Sequence, residues 1–159
     1  MNRIMFICHG NICRSAAAET VMAELCRGNH LPEVEVSSAA TTREEIGNDI
    51  YPPMKKALRE NGYRCPPHAA RQTVPGDYDR YDYLIGMDHE NLSDMKRIYG
   101  GDPLKKISLL RAGLVRRGSQ HGKTEGTGRK DHKDTENVLF ESAGIGYDLF
   151  RRSETEWTF

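Results

Sequence analysis

The sequence lacks three features that would place the protein in other classes. Its 159 residues contain no stretch near the roughly 20 consecutive apolar residues that a membrane span requires. Met1, Asn2 and Arg3 lead directly into an apolar run, which leaves no room for a signal peptide, so we expect a cytoplasmic protein. There is also no excess of one charge, since 23 basic residues balance 23 acidic ones. Nothing therefore indicates a nucleic acid or a membrane as partner.

The four cysteines lack the spacing of a metal site. Cys8 and Cys13, with His9 between them, could begin a zinc site, but Cys26 and Cys65 are isolated and provide no closing pair of ligands. A disulfide framework is equally untypical of a chain of this length in a reducing compartment. We therefore predict neither a metal site nor a cofactor.

The most informative segment lies near the N-terminus and reads C-H-G-N-I-C-R-S, residues 8–15. It follows the apolar run Ile4 to Ile7 and precedes a helix-favouring stretch, Ala16 to Leu25, so it predicts a strand, a tight loop and a helix start. A helix N-terminus offers unpaired backbone N–H groups and about half a positive charge, which bind phosphate and stabilise a thiolate. The segment thus combines a nucleophile with an anion site.

Each residue type in this loop suits that chemistry. The helix dipole and Arg14 favour a thiolate at Cys8, because such surroundings lower a cysteine pKa from about 8.5 to roughly 3.5–7.5. A thiolate can attack phosphorus and form a covalent intermediate, while the Arg14 fork matches two phosphate oxygens. Gly10 and Asn11 tolerate the positive φ angles that let loop N–H groups face inward. Ser15 can cap the helix or donate to the sulfur.

A simpler interpretation exists for the cysteine. Taken alone, Cys8 is equally consistent with an ordinary buried cysteine at the end of a core strand, since free cysteine is among the most buried residue types. The whole cluster in its strand-to-helix context favours the nucleophile.

The first 110 residues alternate between strand and helix patterns. The predicted strands are 4–7, 34–36, 83–87 and 106–110, and the predicted helices are 16–27, 54–61 and a helix from the cap Asp88 to about 98. This alternation predicts a single α/β domain over 1–159, with three layers: a central four-stranded parallel sheet flanked by helices. The phosphate-binding loop follows strand 1, at the carboxyl end where ligands of such sheets bind.

The loop resembles that of the low-molecular-weight protein tyrosine phosphatase family, which has the form C-x5-R-S and very often reads C-x-G-N-I-C-R-S. Other segments match the family in the same order over about two thirds of the chain: 38–41, 45–48, 68–72 and 87–91. The resemblance implies a cytoplasmic phosphatase that hydrolyses phosphotyrosine or small aryl phosphates, with Cys8 as nucleophile and Arg14 as transition-state clamp. It implies a phosphate cradle formed by His9, Gly10, Asn11, Ile12, Cys13 and Ser15.

The resemblance also implies supporting residues. Ser38 and His68 would hydrogen-bond with Asn11 and hold it in a strained backbone conformation, which persists only when its neighbours hold it. Cys13 matches a family cysteine that can form a reversible, protective disulfide with the nucleophile. As a residue by itself, Cys13 is equally consistent with a small packing residue.

Two positions bear on the choice of substrate. Glu44 stands near the place where the family often has an aromatic residue, so a carboxylate there would present a different wall to a phosphotyrosine ring. Ile12 occupies a position that is typically threonine in a related subfamily acting on phosphoarginine. Because isoleucine can pack on an aromatic ring, we expect tyrosine phosphate, with small aryl phosphates as further substrates.

Residues 116–137 depart from the family. They contain no aliphatic, methionine or aromatic side chain, so they cannot form a buried apolar core, and their composition is typical of disorder. The family normally has its general acid here, in an Asp-Pro pair followed by aromatic residues, and this segment has no such motif. We favour Asp131 as the acid, with Asp134 and Glu125 as alternatives, although all three also suit solvated loop charges. Residues 138–159 carry apolar residues for a terminal helix.

Three functions follow from these observations. The first is a cysteine-dependent protein tyrosine phosphatase. The second is a phosphate-binding or redox-sensing module with weak activity, because a general acid contributes typically ~10²–10⁴ in rate. The third is a thiol-coupled arsenate reductase, which needs a downstream pair of closely spaced cysteines that this chain lacks.

Overall fold

The first predicted strand forms the middle of a parallel sheet. The computed structural model describes residues 1–110, and in this part of the chain the strands are β1 (Asn2–Cys8), β2 (Val34–Ala40), β3 (Tyr83–Gly86) and β4 (Ile107–Leu109). They lie in the order β2-β1-β3-β4, and every neighbouring pair is parallel. The predicted four-stranded parallel sheet is confirmed.

Helices connect these strands in the described region: α1 (Arg14–Gly28), α2 (Pro52–Glu60), α3 (Asp77–Arg80) and α4 (His89–Tyr99). Two prolines open α2, where their missing N–H groups cost nothing. Asp88 caps α4 by accepting the Asn91 backbone N–H at 2.8 Å, as the sequence predicted. The single turn α3 was not predicted, because four residues are too few to show a helical period.

Both faces of the sheet are covered by helices. Side chains alternate along β1, so Phe6 packs with Met22 of α1 on one face, while Met5 and Ile7 pack with Met95 of α4 on the other. The predicted three-layer arrangement is therefore confirmed.

The helix α2 packs on the outer side of α1 rather than on the sheet. Its Met54 and Leu58 are buried in one apolar cluster with Ala17 and Val21 of α1. The apolar side chains that α1 presents to α2 are buried in this contact. The contact fixes the position of α1 and of the loop that precedes it.

The second strand is longer than its sequence pattern indicated. The alternation predicted residues 34–36, but β2 continues through Ser37, Ser38 and two alanines to Ala40. Each of its residues pairs with β1, ending with Ala40 opposite Cys8. Pairing with a buried central strand outweighs the weak strand preference of serine and alanine. The extension brings Ser38 to the carboxyl edge of the sheet.

Some predictions fall outside the described residues. These are the polar segment 116–137, the terminal helix over 138–159, and the extent of the single domain over 1–159. Among residues 1–110, no helix is both long enough and apolar enough to cross a bilayer.

Candidate active site

Cys8 lies at the carboxyl end of the central strand and is 3% exposed. Its sulfur is 2.9 Å from Ser15 Oγ, and the backbone N–H of Asn11 donates to it at 3.3 Å. The loop between β1 and α1 thus turns one of its N–H groups toward the sulfur. The sulfur thus has one backbone N–H donor and one hydroxyl within hydrogen-bonding distance.

Asn11 is the best-supported residue of the loop. It is fully buried and has a φ of 58°. Its Nδ2 donates to Ser38 Oγ at 2.7 Å and to Ser15 Oγ at 3.0 Å, and its Oδ1 accepts the Arg71 backbone N–H at 3.2 Å. His68 Nε2 lies 2.6 Å from the carbonyl oxygen of Asn11. These contacts hold a backbone conformation that would otherwise be unfavourable.

Gly10 serves the loop through its small size. Of the two residues that suit a positive φ, Asn11 has one and Gly10 does not. Space is the constraint instead, because a Cβ at Gly10 would lie 3.2 Å from Glu45 Cγ. The glycine lets the segment carrying Glu45 approach the loop closely.

Two roles were predicted for Ser15, as a helix cap or as a hydrogen-bond partner of the Cys8 sulfur. In the structure Ser15 contacts the sulfur and does not cap the helix. The N-cap of α1 is Cys13, which makes no side-chain capping hydrogen bond. Ser15 follows inside the first turn, is fully buried, and has the Ala39 carbonyl oxygen 3.4 Å from its Oγ as a second neighbour.

Arg14 is the first residue of α1 and pairs with Asp88. Its Nη1 donates to Asp88 Oδ2 at 2.6 Å, across from the end of β3. Burial acts to raise the pKa of Asp88, but the hydrogen bonds from Arg14 and from the Asn91 N–H outweigh it and lower that pKa below its usual range. Asp88 is therefore a carboxylate at neutral pH and unsuited to donating a proton.

Cys13 has a different environment from Cys8. Burial, followed by the neighbouring Cys8, raises the pKa of the Cys13 thiol to about 11. Cys13 is therefore a protonated thiol at neutral pH, and all four cysteines are free.

Polar side chains stand at the open side of the loop. His9 Nε2 lies 3.1 Å from Glu44 Oε2, and both side chains are about half exposed or more. The backbone N–H and the hydroxyl of Thr42 both donate to the His9 carbonyl oxygen, at 3.2 Å and 3.0 Å. Glu44 thus lies beside the loop, as the sequence predicted from its position.

Ile12 faces a cavity of about 600 Å³ beside the loop. The Tyr51 N–H donates to the Ile12 carbonyl oxygen at 2.8 Å and joins the loop to the segment that leads into α2. The other lining residues come from that segment and from α2 and are mostly charged: Glu45, Asn48, Asp49, Ile50, Pro52, Lys55, Lys56, Arg59 and Glu60.

The proposed acids Asp131, Asp134 and Glu125 lie outside the described residues. The chain has one Asp-Pro pair, Asp102-Pro103, but Asp102 does not replace these acids. It precedes β4 and therefore lies toward the amino ends of the strands, whereas Cys8 lies at the carboxyl end of β1. It accepts hydrogen bonds from the Tyr78 hydroxyl and the Lys106 backbone N–H, each at 2.8 Å.

In the described part of the chain no three His, Cys, Asp or Glu side chains are grouped to hold a metal.

Sequence reasoning missed two residues of this site, Glu19 and Arg71. It identified Asp88 as a helix cap but missed its ion pair with Arg14. Glu19 on α1 accepts a hydrogen bond from the Ser38 hydroxyl. Arg71 is held in turn by Asp77, at 3.0 Å. Only for Asp88 was a signal available, since it follows directly after a strand of the same sheet and therefore reaches the edge where Cys8 lies.

Comparison with known proteins identifies relatives of this chain. Residues 3–142 match the family model described as low molecular weight phosphotyrosine protein phosphatase. Low molecular weight phosphotyrosine protein phosphatase 1 of Drosophila melanogaster is 37% identical over 98 residues, which are 62% of this chain and 63% of that protein. A relative from Gallus gallus is 37% identical over 112 residues, which are 69% of this chain and 70% of that protein. The alignment thus spans less than two thirds of the Drosophila protein.

Solved structures agree with these relatives. The crystal structure of YfkJ from Bacillus subtilis has a TM-score of 0.70 and 25% identity, and the match covers 96% of this chain and 94% of that one. The crystal structure of Primo-1 has a TM-score of 0.61 and 35% identity, over 69% of each chain.

Proposed function

The chain belongs to the low molecular weight phosphotyrosine protein phosphatase family, and on that premise we propose that it hydrolyses phosphotyrosine through a phosphocysteine on Cys8. The observation that carries the proposal is the environment of the Cys8 sulfur. It is buried at the end of the central strand, with the Ser15 hydroxyl and the Asn11 N–H as neighbours and α1 beginning six residues later. This is a nucleophile at an anion-binding helix N-terminus.

In the proposed reaction the Cys8 thiolate attacks phosphorus, a sulfur–phosphorus bond forms, and the bond from phosphorus to the tyrosine oxygen breaks. Water then attacks the phosphocysteine, so that inorganic phosphate leaves and the thiolate is regenerated. Charge on the phosphoryl oxygens is compensated by the loop N–H groups, from His9 to Ser15, and by Arg14.

The pair of Arg14 with Asp88 suits this role. A guanidinium has five N–H donors in a rigid plane, and Asp88 occupies Nη1. The remaining donors suffice for two phosphate oxygens, so the pair orients Arg14 rather than blocking it. Ser38 and His68, through Asn11, hold the loop in the shape that this binding requires.

We further propose Asp131 as the acid that protonates the leaving oxygen. The supporting argument is its position in the part of the chain where relatives have this group. If Asp131 acts so, Asp131→Ala removes the alkaline limb of the pH–rate profile and lowers kcat by ~10²–10⁴ on phosphotyrosine. An unchanged pH–rate profile removes Asp131 from the mechanism, and the same substitution at Asp134 and at Glu125 then tests the two alternatives.

The remaining parts of the proposal follow from the chemistry. The substrates are phosphotyrosine proteins or small aryl phosphates, not nucleic acids or membranes, and no cofactor is needed because the thiolate itself forms the intermediate. A reducing compartment such as the cytoplasm keeps that thiolate active.

Hydrolysis of p-nitrophenyl phosphate by the full chain tests the proposal. We expect turnover, inhibition by vanadate, and a phosphoenzyme, trapped by rapid denaturation, that Cys8→Ala abolishes. Cys26→Ala is the control, since it replaces a cysteine remote from the loop. Vanadate binding without turnover would instead favour a phosphate-binding module, and thiol-dependent reduction of arsenate would favour a reductase.

A further inference from the structure

Ser38 lies between a buried amide and a carboxylate. Its hydroxyl oxygen accepts from Asn11 Nδ2 at 2.7 Å, and its hydroxyl hydrogen is directed to Glu19 Oε2 on α1. An ionised carboxylate can only accept hydrogen bonds, whereas a serine hydroxyl has one hydrogen to donate. Glu19 therefore uses the single hydrogen of Ser38, and the Ser38 oxygen is left as an acceptor.

This assignment orients the side chain of Asn11. An acceptor at Ser38 requires the NH₂ group of Asn11 on that side, and the same orientation puts Oδ1 toward the Arg71 backbone N–H at 3.2 Å. The opposite orientation would face a donor with a donor at Arg71 and would leave Ser38 without its partner. The amide is therefore held from both ends.

The orientation of Asn11 decides what Ser15 can do. The second N–H of the Asn11 amide points to Ser15 Oγ at 3.0 Å, so this oxygen accepts. The one hydrogen of Ser15 is then available for Cys8 Sγ at 2.9 Å or for the Ala39 carbonyl at 3.4 Å. The sulfur is the nearer acceptor, and when ionised it is also the stronger one.

We propose that Glu19 is a positioning residue whose negative charge orients the hydrogen bonds of Ser38, Asn11 and Ser15 so that the Ser15 hydroxyl donates to the Cys8 sulfur. Glu19 touches neither the sulfur nor a substrate and acts through three intervening groups. The inference concerns the site of the proposed function and rests on that function only for its effect on turnover. Its effect on the thiol is independent of any substrate.

Glu19→Gln is the decisive variant, because a glutamine keeps the size of the side chain but can donate an N–H to Ser38. Because the glutamine amide offers Ser38 a donor as well as an acceptor, the Ser38 hydroxyl is no longer restricted to donating to residue 19, and the preferred direction of these hydrogen bonds is weakened. Glu24→Gln is the matched control, since Glu24 lies on the same helix and its ion pairs within residues 1–110 are with Arg27 and Arg64 at the surface.

The readout is the rate at which iodoacetamide alkylates Cys8 in the full chain as a function of pH, followed by mass spectrometry of the Cys8 peptide. We expect the midpoint for Glu19→Gln to move upward, with alkylation about tenfold slower below the midpoint, the size of one hydrogen bond to a charged group. Glu24→Gln should follow the parent protein. The other titratable groups near the loop are His9, Cys13, Arg14, Glu44, Glu45, His68 and Asp88, and all variants retain them.

An unshifted midpoint in folded Glu19→Gln overturns the inference, as does an equal shift in Glu24→Gln. If Glu19→Gln does not fold, Ser38→Ala decides, because it interrupts the same chain: an upward shift supports the inference and no shift overturns it. The two proposals fail separately. If the alkylation midpoint shifts in Glu19→Gln but the parent protein does not hydrolyse p-nitrophenyl phosphate, only the proposed function is contradicted. If the parent protein hydrolyses it and the midpoint does not shift, only the role of Glu19 is contradicted.

Discussion

The candidate site has a buried floor and an exposed mouth, and the two are held by different forces. The floor, defined as Cys8, Asn11, Ser15 and Ser38, is at most 6% exposed. The mouth is defined as His9, Arg14, Glu44 and Asp88, whose side chains are 31% to 68% exposed. Polar groups in the floor are shielded from bulk solvent, so each needs a hydrogen-bond partner of the correct kind.

The mouth obeys a weaker constraint. Ion pairs in contact with water contribute little, about 0–1 kcal/mol, because solvent serves each partner nearly as well. The comparison teaches that burial, rather than distance from the sulfur, sets how strictly each part of this site is constrained. The floor restricts residue identity strongly, whereas in the mouth we expect position 44 to tolerate substitution.

Arg14 connects the two regions and should show the largest effect. Arg14→Lys keeps the charge but loses the planar fork, so we expect kcat to fall by ~10²–10³, as when one preorganised donor is removed from a transition state. Arg27→Lys at the far end of α1 is the control. Comparable activity in Arg14→Lys would show that charge alone suffices at this position and would place Arg14 with the tolerant mouth.

Asn11 tests the floor itself. Asn11→Gly keeps the positive φ accessible but removes the amide, and we expect kcat to fall on the order of 10²-fold through displacement of the loop. Asn11→Ala adds a backbone penalty of about 1–2 kcal/mol to the same loss. Urea unfolding should therefore separate the two variants in stability while their kinetics stay similar. Equal stability would mean that the left-handed backbone at Asn11 carries no strain.

Asp88 tests the electrostatics of the mouth. Because its pKa is lowered in the folded protein, its charge adds stability that is fully present above the pKa of an unfolded aspartate, near 4, and is lost as pH falls through the folded value. Asp88→Asn retains a good helix cap and removes only the charge. The variant should be less stable than the parent at neutral pH and equal to it in acid, as measured by urea unfolding. A difference independent of pH would contradict this account.

Glu44 should show the smallest effect. We expect Glu44→Lys to improve kcat/KM for phosphopeptides with acidic flanks by a few-fold, the scale of an exposed charge, and to leave p-nitrophenyl phosphate unaffected. Glu35→Lys, at the other end of β2 and paired with Arg3 and Arg80, is the control. A large loss on both substrates would mean that Glu44 belongs with the floor.

The parts of the fold and site that could be predicted are those with a local signal. The loop was recognisable because its residues are contiguous, and α4 because Asp88 and the apolar spacing after it mark a capped helix. The serine-rich half of β2 and the single turn α3 were not predicted, because partners elsewhere in the chain stabilise them. The close approach of Glu45 to Gly10 was not predicted, because Glu45 lies far along the sequence.

The sequence by itself determined the strand, the loop, the helix start and the family resemblance, since each depends on neighbouring residues and on general backbone preferences. The resemblance also implied Ser38 and His68 as neighbours of Asn11, but only the tertiary structure decided how the side chains around Asn11 are arranged and added Ser15 and Arg71 to them. Arg71 is 60 residues from Asn11 and Ser38 is 27, so their meeting depends on the register of β1 against β2 and on how the segment around Arg71 returns to that edge. A buried amide needs partners of defined direction, and the folded chain, rather than any local pattern, selects which residues supply them.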